Sequence, residues 1–463
     1  MISFNEGKAE GIKIAYIGGG SRGWAWGLMS DLVSAEDISG DVYLYDIDYQ
    51  AACYNEIIGN KYNSVDGAKS KWNYHAVKTI EEALGGADFV VISILPGTFD
   101  EMESDVHTPE KYGIYQSVGD TSGPGGIVRA LRTVPMFEVI ARAIRDNCPK
   151  AWVINYTNPM TVCVRTLYRV FPEIKAFGCC HEVFSTQKLL SHALNDIKGI
   201  EGVDRSEIKT NVVGVNHFTW ITEATYKNID LFEVYKEFSD KYYETGFSGV
   251  VRNWANRCFI CNEKVKLDLF RRYGWIAAAG DRHLAEFCEG KWYLKDPETV
   301  ERWGFGLTTV KWRKDYLKTR LDKCAALVSG EQTPEIRKTG EEGVSQIRAL
   351  LGLHELVTNV NIPNVGQIPN LPLGAVVETN AVFRSDKVTP VIAGEIPKEI
   401  YPLIARVSGE QELIVEAGLT RDLKLAFTAF VNDPLVTVPL DEAKQLFDEM
   451  VENTKAYLTD YER

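Results

Sequence analysis

One short stretch of the sequence, GCCHEVFSTQ, places three reactive side chains next to one another: Cys180, His181 and Glu182. A second polar pair, Asn216 and His217, follows the apolar run VVGV. A thiolate and an imidazole are both ligands of divalent metals, and two such ligands leave coordination positions open for a substrate. Cys180 and His217 are therefore candidates to bind one divalent cation. The alternative for each is an ordinary buried residue.

The stretches that would position these ligands are short apolar runs typical of buried β-strands. They are rich in β-branched and aromatic residues, end in glycine or polar residues, and cover residues 12–18, 42–46, 88–94, 152–156 and 174–179. Stretches with helical spacing separate them. This alternation predicts parallel pairing and a doubly wound α/β sheet of the Rossmann type, similar to lactate and malate dehydrogenases. Ligands bind at the carboxyl edge of such a sheet, where Cys180 would lie.

The second half of the chain has a different pattern. A polar, glycine-containing connector at 195–207 predicts a boundary between a dinucleotide-binding domain, 1–205, and an α+β substrate domain, 206–463. In the latter, helical patterns cover roughly 228–350, strands follow with prolines at their edges, and helical spacing returns near residue 400.

A glycine-rich turn, IGGGSRG, directly follows the first predicted strand and opens a helical pattern. Its G-x-G-x-x-G spacing is typical of a turn that lets the backbone approach a pyrophosphate at a helix N-terminus. The second predicted strand ends in LYDID, where a carboxylate about 20 residues past the glycines would bind the ribose hydroxyls and repel a 2′-phosphate, which favours NAD over NADP. The predicted cofactor-binding residues are Gly18, Gly20, Ser21, Arg22, Gly23 and Asp46.

Composition narrows the choice of partners and compartment. The formal net charge is −13, from 51 basic and 64 acidic residues, which argues against nucleic acid or an anionic membrane as partner. The first twenty residues have no signal-peptide pattern, and no apolar run approaches the ~20 residues of a membrane span. Nine cysteines spread over the chain fit reduced thiols, so we expect a cytoplasmic protein. The CFIC stretch at 258–261 is interpreted as two small packed side chains.

Several motifs together resemble one enzyme family. Besides the glycine turn and LYDID, the chain contains VGDTSGPGGIVRALRTVP, NYTNPM, CHEV, GVNHFTW, NVGQIPNLP and NDPLV. This set resembles the NAD- and manganese-dependent glycosidases of glycoside hydrolase family 4. The resemblance implies that Cys180 and His217 are the metal ligands, with NAD⁺ and Mn²⁺ as cofactors. CHEV resembles the motif of the subgroup that acts on α-galacturonides.

The resemblance also implies an oxidative route of hydrolysis instead of the usual pair of carboxylates. NAD⁺ would take hydride from C3 of the sugar, and the resulting ketone would acidify the C2 proton. The metal would stabilise the enediolate, a base would remove the C2 proton, and the leaving group would depart from C1 by elimination. Addition of water and return of the hydride would complete the turnover.

The same resemblance suggests catalytic residues without deciding between candidates. Asp281, in RRYGWIAAAGDRHLAEF, fits the aspartate version of the C2 base, with Tyr273 and His283 as rivals. His181 and Asp120 are the candidates for the acid that protonates the leaving group.

Substrate contacts are expected from four residues: Asn158, Asn216, Glu182 and Arg282. A uronate also requires a fixed cation, and the cluster formed by Arg271, Arg272 and Arg282 near the candidate base could supply one.

Alternative functions remain open from the sequence. One is an α-glucosidase, α-galactosidase or α-glucuronidase of the same family. Others are a net NAD-dependent dehydrogenase of a hydroxy acid or polyol, and a non-catalytic NAD-binding protein. In every case a homodimer or homotetramer is expected.

Overall fold

Strands and helices alternate along the first two hundred residues of the computed structural model, which describes residues 2–249 and 259–461. The strands are β1 Ser3–Asn5, β2 Lys8–Ile17, β3 Ile38–Tyr45, β4 Trp72–Val77, β5 Phe89–Ile92, β6 Trp152–Asn155, β7 Lys175–Gly178, β8 Lys209–Val215, β9 Phe218–Tyr226, β10 Ile229–Asp230, β11 Ile276–Ala277, β12 Leu356–Pro363, β13 Val376–Arg384 and β14 Lys387–Pro390. The helices are α1 Trp24–Ser34, α2 Tyr49–Tyr62, α3 Ile80–Leu84, α4 Phe99–His107, α5 Gly123–Asn147, α6 Met160–Val170, α7 Glu182–Lys198, α8 Leu231–Tyr242, α9 Lys264–Tyr273, α10 Asp281–Phe287, α11 Gly290–Tyr293, α12 Pro297–Arg302, α13 Val310–Ser329, α14 Gly343–Leu350, α15 Tyr401–Thr420, α16 Leu423–Asn432 and α17 Leu440–Asn453. Short 3₁₀ turns lie at Pro109–Tyr112, Arg205–Glu207 and Lys455–Tyr457.

A ten-stranded sheet forms the centre of the molecule, in the order β14-β13-β12-β7-β6-β5-β2-β3-β4, with β1 paired to β2. The six strands from β4 to β7 in this order pair in parallel, as buried apolar runs joined by helices require. The doubly wound α/β fold predicted from the sequence is therefore confirmed.

The antiparallel strands β12, β13 and β14 extend the parallel sheet beyond β7. The pairing between β12 and β7 brings Asn361 opposite Gly178, two residues before Cys180. Strands from both sides of the predicted boundary at 205 and 206 thus share one sheet, and the division into 1–205 and 206–463 stays a prediction.

One strand of the parallel sheet, β4, was absent from the sequence-based prediction. In β4 the buried residues Trp72 and Tyr74 alternate with the exposed Asn73. Because β4 lies at the edge of the sheet, its sequence lacks the continuous apolar run that marks a central strand.

A second, four-stranded antiparallel sheet is built from β8, β9, β10 and β11. The hairpin between β8 and β9 turns at Asn216 and His217, and β11 pairs with β9 through Ala277 and Trp220. This arrangement places the start of α10, which follows β11, beside the hairpin turn.

Apolar packing occupies both faces of the large sheet and the space between the two sheets. Helices α1, α2 and α14 cover one face, and α3, α5 and α6 cover the other. Helix α5 also packs against α15 and α16 in the largest apolar cluster, and most of its first half is buried. None of the helices in residues 2–249 and 259–461 has both the length and the apolar character of a membrane span.

Candidate functional site

The glycine turn after β2 has the backbone geometry of a dinucleotide-binding loop. Gly18 has φ +91°, and a Cβ atom there would lie 2.1 Å from the carbonyl oxygen of Ser93, so only glycine fits. The Gly20 N–H donates to Asp46 Oδ2 at 2.8 Å, and a Cβ on Gly20 would lie 2.7 Å from Ala51 Cβ. The turn and the carboxylate after β3 are therefore adjacent, as the sequence predicted for a pyrophosphate and ribose site.

The rest of the turn is held by side chains from α2 and α13. Asn55 Nδ2 donates to the Ser21 carbonyl oxygen at 2.9 Å, and Gly23 precedes the first residue of α1. Arg22 lies 3.8 Å from Asp48, and its carbonyl oxygen accepts from Arg320 Nη1 at 2.8 Å. Arg320, which sequence reasoning missed, lies almost three hundred residues along the chain and fixes the turn from outside.

Cys180 lies two residues after the end of β7, at the carboxyl edge of the sheet, and it is buried, with 6% exposure. Burial, together with the negative charges of Glu378 and Glu182, raises the pKa of the Cys180 thiol well above its usual range. A nearby cation would reverse this shift, because metal binding deprotonates a thiol.

His217 occupies the β8–β9 turn with φ 64° and is 4% exposed. Its Nδ1 lies 3.1 Å from Thr121 Oγ1, and the Thr121 hydroxyl is 2.7 Å from Asp120 Oδ1. The single hydroxyl proton is donated to the carboxylate, so the hydroxyl oxygen accepts from His217 Nδ1–H. This leaves Nε2 of His217 with its lone pair available, the form in which imidazole binds a metal.

Glu182 lies among three histidines. Its Oε1 is 3.7 Å from His283 Nε2 and 3.9 Å from His181 Nε2, and its Oε2 accepts the Gly280 N–H at 2.8 Å. Burial opposes ionisation, but the charges of His283, His181 and His217 lower the pKa of Glu182 to about 2. Glu182 also acts electrostatically on Cys180, so both metal-ligand candidates face this carboxylate.

His181 stands at the edge of the cluster, where 47% of its side chain is exposed. Its Nδ1 lies 3.0 Å from Glu341 Oε1, and this hydrogen bond raises the pKa of His181 to about 9. The imidazole is therefore a proton donor that faces solvent at neutral pH.

Asp120 lies on the loop before α5. Burial would raise the pKa of Asp120, but the positive charges of Arg129, His217 and His283 outweigh it and hold the pKa well below its usual range. An ionised carboxylate is poorly suited to donate a proton, and its observed contact is with the hydroxyl that orients His217.

Asp281, the first residue of α10, is fully buried and accepts backbone N–H bonds from Val265 and Lys266 at the start of α9. Burial and the negative charge of Glu263 raise the pKa of Asp281 to about 7, the range that suits a general base. Its described neighbours are distinct from those of the histidine cluster, although His283 is only two residues away.

The two rivals of Asp281 lie in different surroundings. His283 stacks on His217 with ring centroids 3.9 Å apart, and its buried Nδ1 has no hydrogen-bond partner among the described residues. Tyr273, at the end of α9, packs edge-on against Trp220 at 6.0 Å within the large apolar cluster.

The predicted arginine cluster does not converge on one point. Arg282 is buried, and its Nη2 donates to the Ser117 carbonyl oxygen at 2.9 Å and to Thr308. Arg272 Nε donates to Asp268 at 2.8 Å, and Arg271 lies over the ring of Tyr243 at 3.9 Å. Each guanidinium is thus engaged by a different part of the protein.

The two predicted asparagines each present a buried oxygen without a hydrogen-bond partner among the described residues: Asn158 Oδ1 and Asn216 Oδ1. Asn216 Nδ2 donates to Glu378 Oε2 at 3.1 Å, and Glu378 Oε1 accepts from Asn359 Nδ2 at 2.6 Å. Buried oxygens without a partner are uncommon in folded proteins, which keeps these two residues as candidates for ligand binding.

A thiol and an imidazole are both suitable ligands for a divalent cation, which keeps Cys180 and His217 as candidates. In the part of the chain that the structure describes, one group of three potential ligand residues is compact: the ligand atoms of Cys261, Glu263 and Asp281 lie within 4.8 Å of one another. The buried ammonium of Lys266 lies 2.7 Å from Glu263 and already supplies that group with a positive charge. Cys258, the other cysteine of CFIC, lies outside the described residues.

Sequence reasoning missed four buried residues of this region: Thr121, Arg129, Glu286 and Glu378. Thr121 and Arg129 belong to VGDTSGPGGIVRALRTVP, from which only Asp120 was selected. Glu286 accepts the N–H groups of Val118 and Gly119 at 2.6 and 2.9 Å, beside Asp120. For Glu286, the signal available in the sequence was a charged residue at a helix position where the pattern predicts an apolar one.

Similarity to known proteins covers nearly the whole chain. Family models described as "Family 4 glycosyl hydrolase" and "Family 4 glycosyl hydrolase C-terminal domain" match residues 13–196 and 212–436. A protein from Thermoanaerobacterium saccharolyticum named alpha-galacturonidase is 66% identical over 99% of this chain and 98% of its own. One of the same name from Bacillus subtilis is 53% identical over 97% of this chain and 99% of its own.

Solved structures agree with this relationship. The crystal structure of the putative glucosidase lplD from Bacillus subtilis matches with a TM-score of 0.91 and 53% identity, covering 95% of this chain and 100% of that one. The fold also matches 6-phospho-beta glucosidase from Thermotoga maritima, solved with manganese, NAD⁺ and glucose-6-phosphate, with a TM-score of 0.75 and 22% identity over 96% and 99% of the two chains. The matching family models, the high identity along the full length and the shared fold lead to one conclusion: this chain belongs to the family 4 glycosyl hydrolases.

Proposed function

We propose that this enzyme hydrolyses α-galacturonides, glycosides of a non-phosphorylated uronic acid. The observation that carries the proposal is the identity of 53 to 66%, over 97 to 99% of this chain, with proteins named alpha-galacturonidase. The buried oxygens of Asn158 and Asn216 beside the histidine cluster support a sugar site at the carboxyl edge of the sheet.

We propose that NAD binds along the glycine turn and Asp46, and that Cys180 and His217 hold a divalent cation, Mn²⁺. When bound, NAD supplies a reversible hydride acceptor for C3 of the sugar, and the cation stabilises negative charge on the C2 and C3 oxygens. The tight approach at Gly18 and Gly20 supports the first site, and the hydrogen bond from Nδ1 of His217 to Thr121, which favours the tautomer with a lone pair on Nε2, supports the second.

The chain's own residues would then move the protons. Asp281 is proposed as the base that takes the C2 proton, since its buried carboxyl titrates near neutrality. His283 is the rival, because its unpartnered Nδ1 lies on the ring that stacks on His217. His181, at the exposed edge of the cluster, is proposed as the acid that gives a proton to the departing oxygen. Asp120 and Thr121 keep His217 in the ligand tautomer.

We further propose that the enzyme works in the cytoplasm as a homodimer or homotetramer, with a dinucleotide-binding domain at 1–205 and a substrate domain at 206–463. The eight cysteines among the described residues are all free, which suits a reducing compartment. Such a compartment would also protect Cys180 from oxidation. Light scattering coupled to size-exclusion chromatography measures the assembly.

Two chromogenic substrates test the function. With NAD and Mn²⁺ added, nitrophenyl α-galacturonide should release nitrophenol, with a steady, low absorbance of NADH at 340 nm. Faster turnover of the α-galactoside or α-glucoside would contradict the uronide assignment, and stoichiometric accumulation of NADH would indicate a net dehydrogenase.

A further inference from the structure

Arg129, near the start of α5, is a buried guanidinium whose hydrogen-bonding capacity the protein leaves partly unused. Arg129 is 4% exposed, and its Nε donates to the Asn158 carbonyl oxygen at 3.1 Å. The buried Nη1 has no hydrogen-bond partner among the residues the structure describes. A buried charged donor without an acceptor is costly, so its presence indicates that a ligand supplies the acceptor.

The surroundings of Arg129 are those of a sugar site. Asn158, which it contacts directly, presents its own unpartnered Oδ1, and Thr161, on the first turn of α6, has a buried Oγ1 in the same condition. Arg129, Asn158 and Thr161 each carry a buried polar atom without a partner among the described residues, and such a set fits a ligand that has several oxygen atoms.

Two carboxylates, Asp120 and Asp105, act electrostatically on Arg129. Asp105 is already bound by Arg132, whose Nη1 lies 3.0 Å from Asp105 Oδ1. Asp120 is hydrogen-bonded to the Thr121 hydroxyl at 2.7 Å, and no hydrogen bond between Arg129 and either carboxylate is formed among the described residues.

Other arginines near the site are engaged elsewhere. Arg282 binds Ser117 and Thr308, and Arg272 binds Asp268. A uronate requires a fixed cation, and a guanidinium with an open N–H matches the planar geometry of a carboxylate better than an ammonium does.

We propose that Arg129 binds the C5 carboxylate of the uronic acid ring and so determines the preference for uronides over neutral sugars. The inference rests on the proposed function, since it names the protein group that recognises the acid. The sequence predicts this cation among Arg271, Arg272 and Arg282, whereas the proposed position is on α5.

The proposal is tested by a thermodynamic binding cycle, in which the protein and the ligand are changed separately. Galacturonate and its methyl ester are titrated calorimetrically into enzyme loaded with NAD and Mn²⁺, for the wild type, Arg129→Lys and Arg129→Met. The wild type should prefer the carboxylate by roughly 30-fold or more, the effect of one buried charge pair, and both variants should lose most of that preference. The matched control is Arg142→Met on the same helix, where an exposed side chain pairs with Glu138; it should keep the full preference.

The outcomes separate this inference from the proposed function. If Arg129→Met weakens acid and ester equally, or weakens NAD binding instead, Arg129 has a structural or cofactor role and the inference is wrong. If the wild type fails to hydrolyse nitrophenyl α-galacturonide, the proposed function fails, whatever the binding cycle gives. Arg129→Lys and the melting temperature of each variant show whether the fold is retained.

Discussion

The imidazole rings of His217 and His283 stack with their centroids 3.9 Å apart and an interplanar angle of 30°. His217 belongs to the β8–β9 turn and His283 to α10, so the stack joins the candidate metal ligand to the helix that begins with the candidate base, Asp281. The pairing of β11 with β9 produces this relationship, because it delivers the start of α10 beside the hairpin turn.

Replacing Thr121 with valine should weaken metal binding. The substitution keeps the shape of the side chain but removes the hydroxyl that links Asp120 to His217. Loss of such a support for a metal-binding histidine lowers affinity by about 10- to 100-fold. Titration of Mn²⁺ by calorimetry measures the effect. The control is Thr166→Val, because the Thr166 hydroxyl donates within its own helix, to the Val162 carbonyl oxygen. Equal affinities in the two variants would contradict this role.

Cys180→Ser should prevent the enzyme from binding Mn²⁺ when the Mn²⁺ concentration is low, because a hydroxyl is a far weaker metal ligand than a thiolate. We expect the dissociation constant for Mn²⁺ to rise by about tenfold or more, with hydrolysis falling in parallel. The control is Cys148→Ala. Cys148 directly follows the last residue of α5, and this variant should behave as the wild type. A Cys180→Ser enzyme with normal metal affinity would show that the sulfur is only a packed core atom.

Asp46→Ala should weaken the binding of NAD and reduce the discrimination against NADP. The carboxylate accepts the N–H groups of Gly20 at 2.8 Å and Asp48 at 2.9 Å, and so lies where the ribose would bind. Removing a charged hydrogen-bond acceptor costs about tenfold or more in affinity. Fluorescence titration with NAD and NADP measures both effects. Asp41→Ala, within β3 and bonded to Asn73 and His75, controls for changes in the strand that precedes Asp46.

Glu286→Gln should reduce the fall in the free energy of unfolding that the wild type shows as the pH rises from 5 to 8. Burial raises the pKa of Glu286 from 4.5 to about 8. Between these values the folded protein holds the proton and the unfolded chain does not, so the unfolding free energy falls as the pH rises through this window. Each pKa unit corresponds to about 1.4 kcal/mol, and the wild-type loss from this group is on the order of a few kcal/mol.

Urea unfolding at pH 5 and pH 8 measures this difference. Glu286→Gln should lose less stability between the two pH values than the wild type does. Glu237→Gln, at an exposed side chain paired with Lys198, should match the wild type. An identical pH dependence in all three proteins would contradict the proton assignment.

Five of the six parallel strands could be predicted because they lie inside the sheet and have continuous apolar runs; β4, at the edge, was missed. The glycine turn and Asp46 were found for the same reason: their positions follow from a strand and the residues next to it. The pairing of Asn361 with Gly178 could not be predicted, because it joins residues far apart in the chain and no local pattern records the partner.

The candidate site was predicted unevenly for a related reason. Cys180 and His217 are conspicuous residue types at strand ends. Thr121 and Arg129 gain their significance only when α5 packs with its N-terminus beside the β8–β9 turn. Arg282 was expected near the substrate, yet its bonds to Ser117 and Thr308 depend on loops whose approach the sequence does not reveal.

The elimination route is tested most directly by measuring the incorporation of solvent deuterium at C2 of the released sugar. When the wild type hydrolyses an α-galacturonide in D₂O with NAD and Mn²⁺, the product galacturonate should carry deuterium at C2, because a base of the protein removes that proton before the leaving group departs. Asp281→Asn should slow hydrolysis and exchange together, whereas a loss confined to His283→Gln would assign the base to His283. Rapid hydrolysis by the wild type with no deuterium at C2 would contradict the elimination route and leave direct displacement at C1.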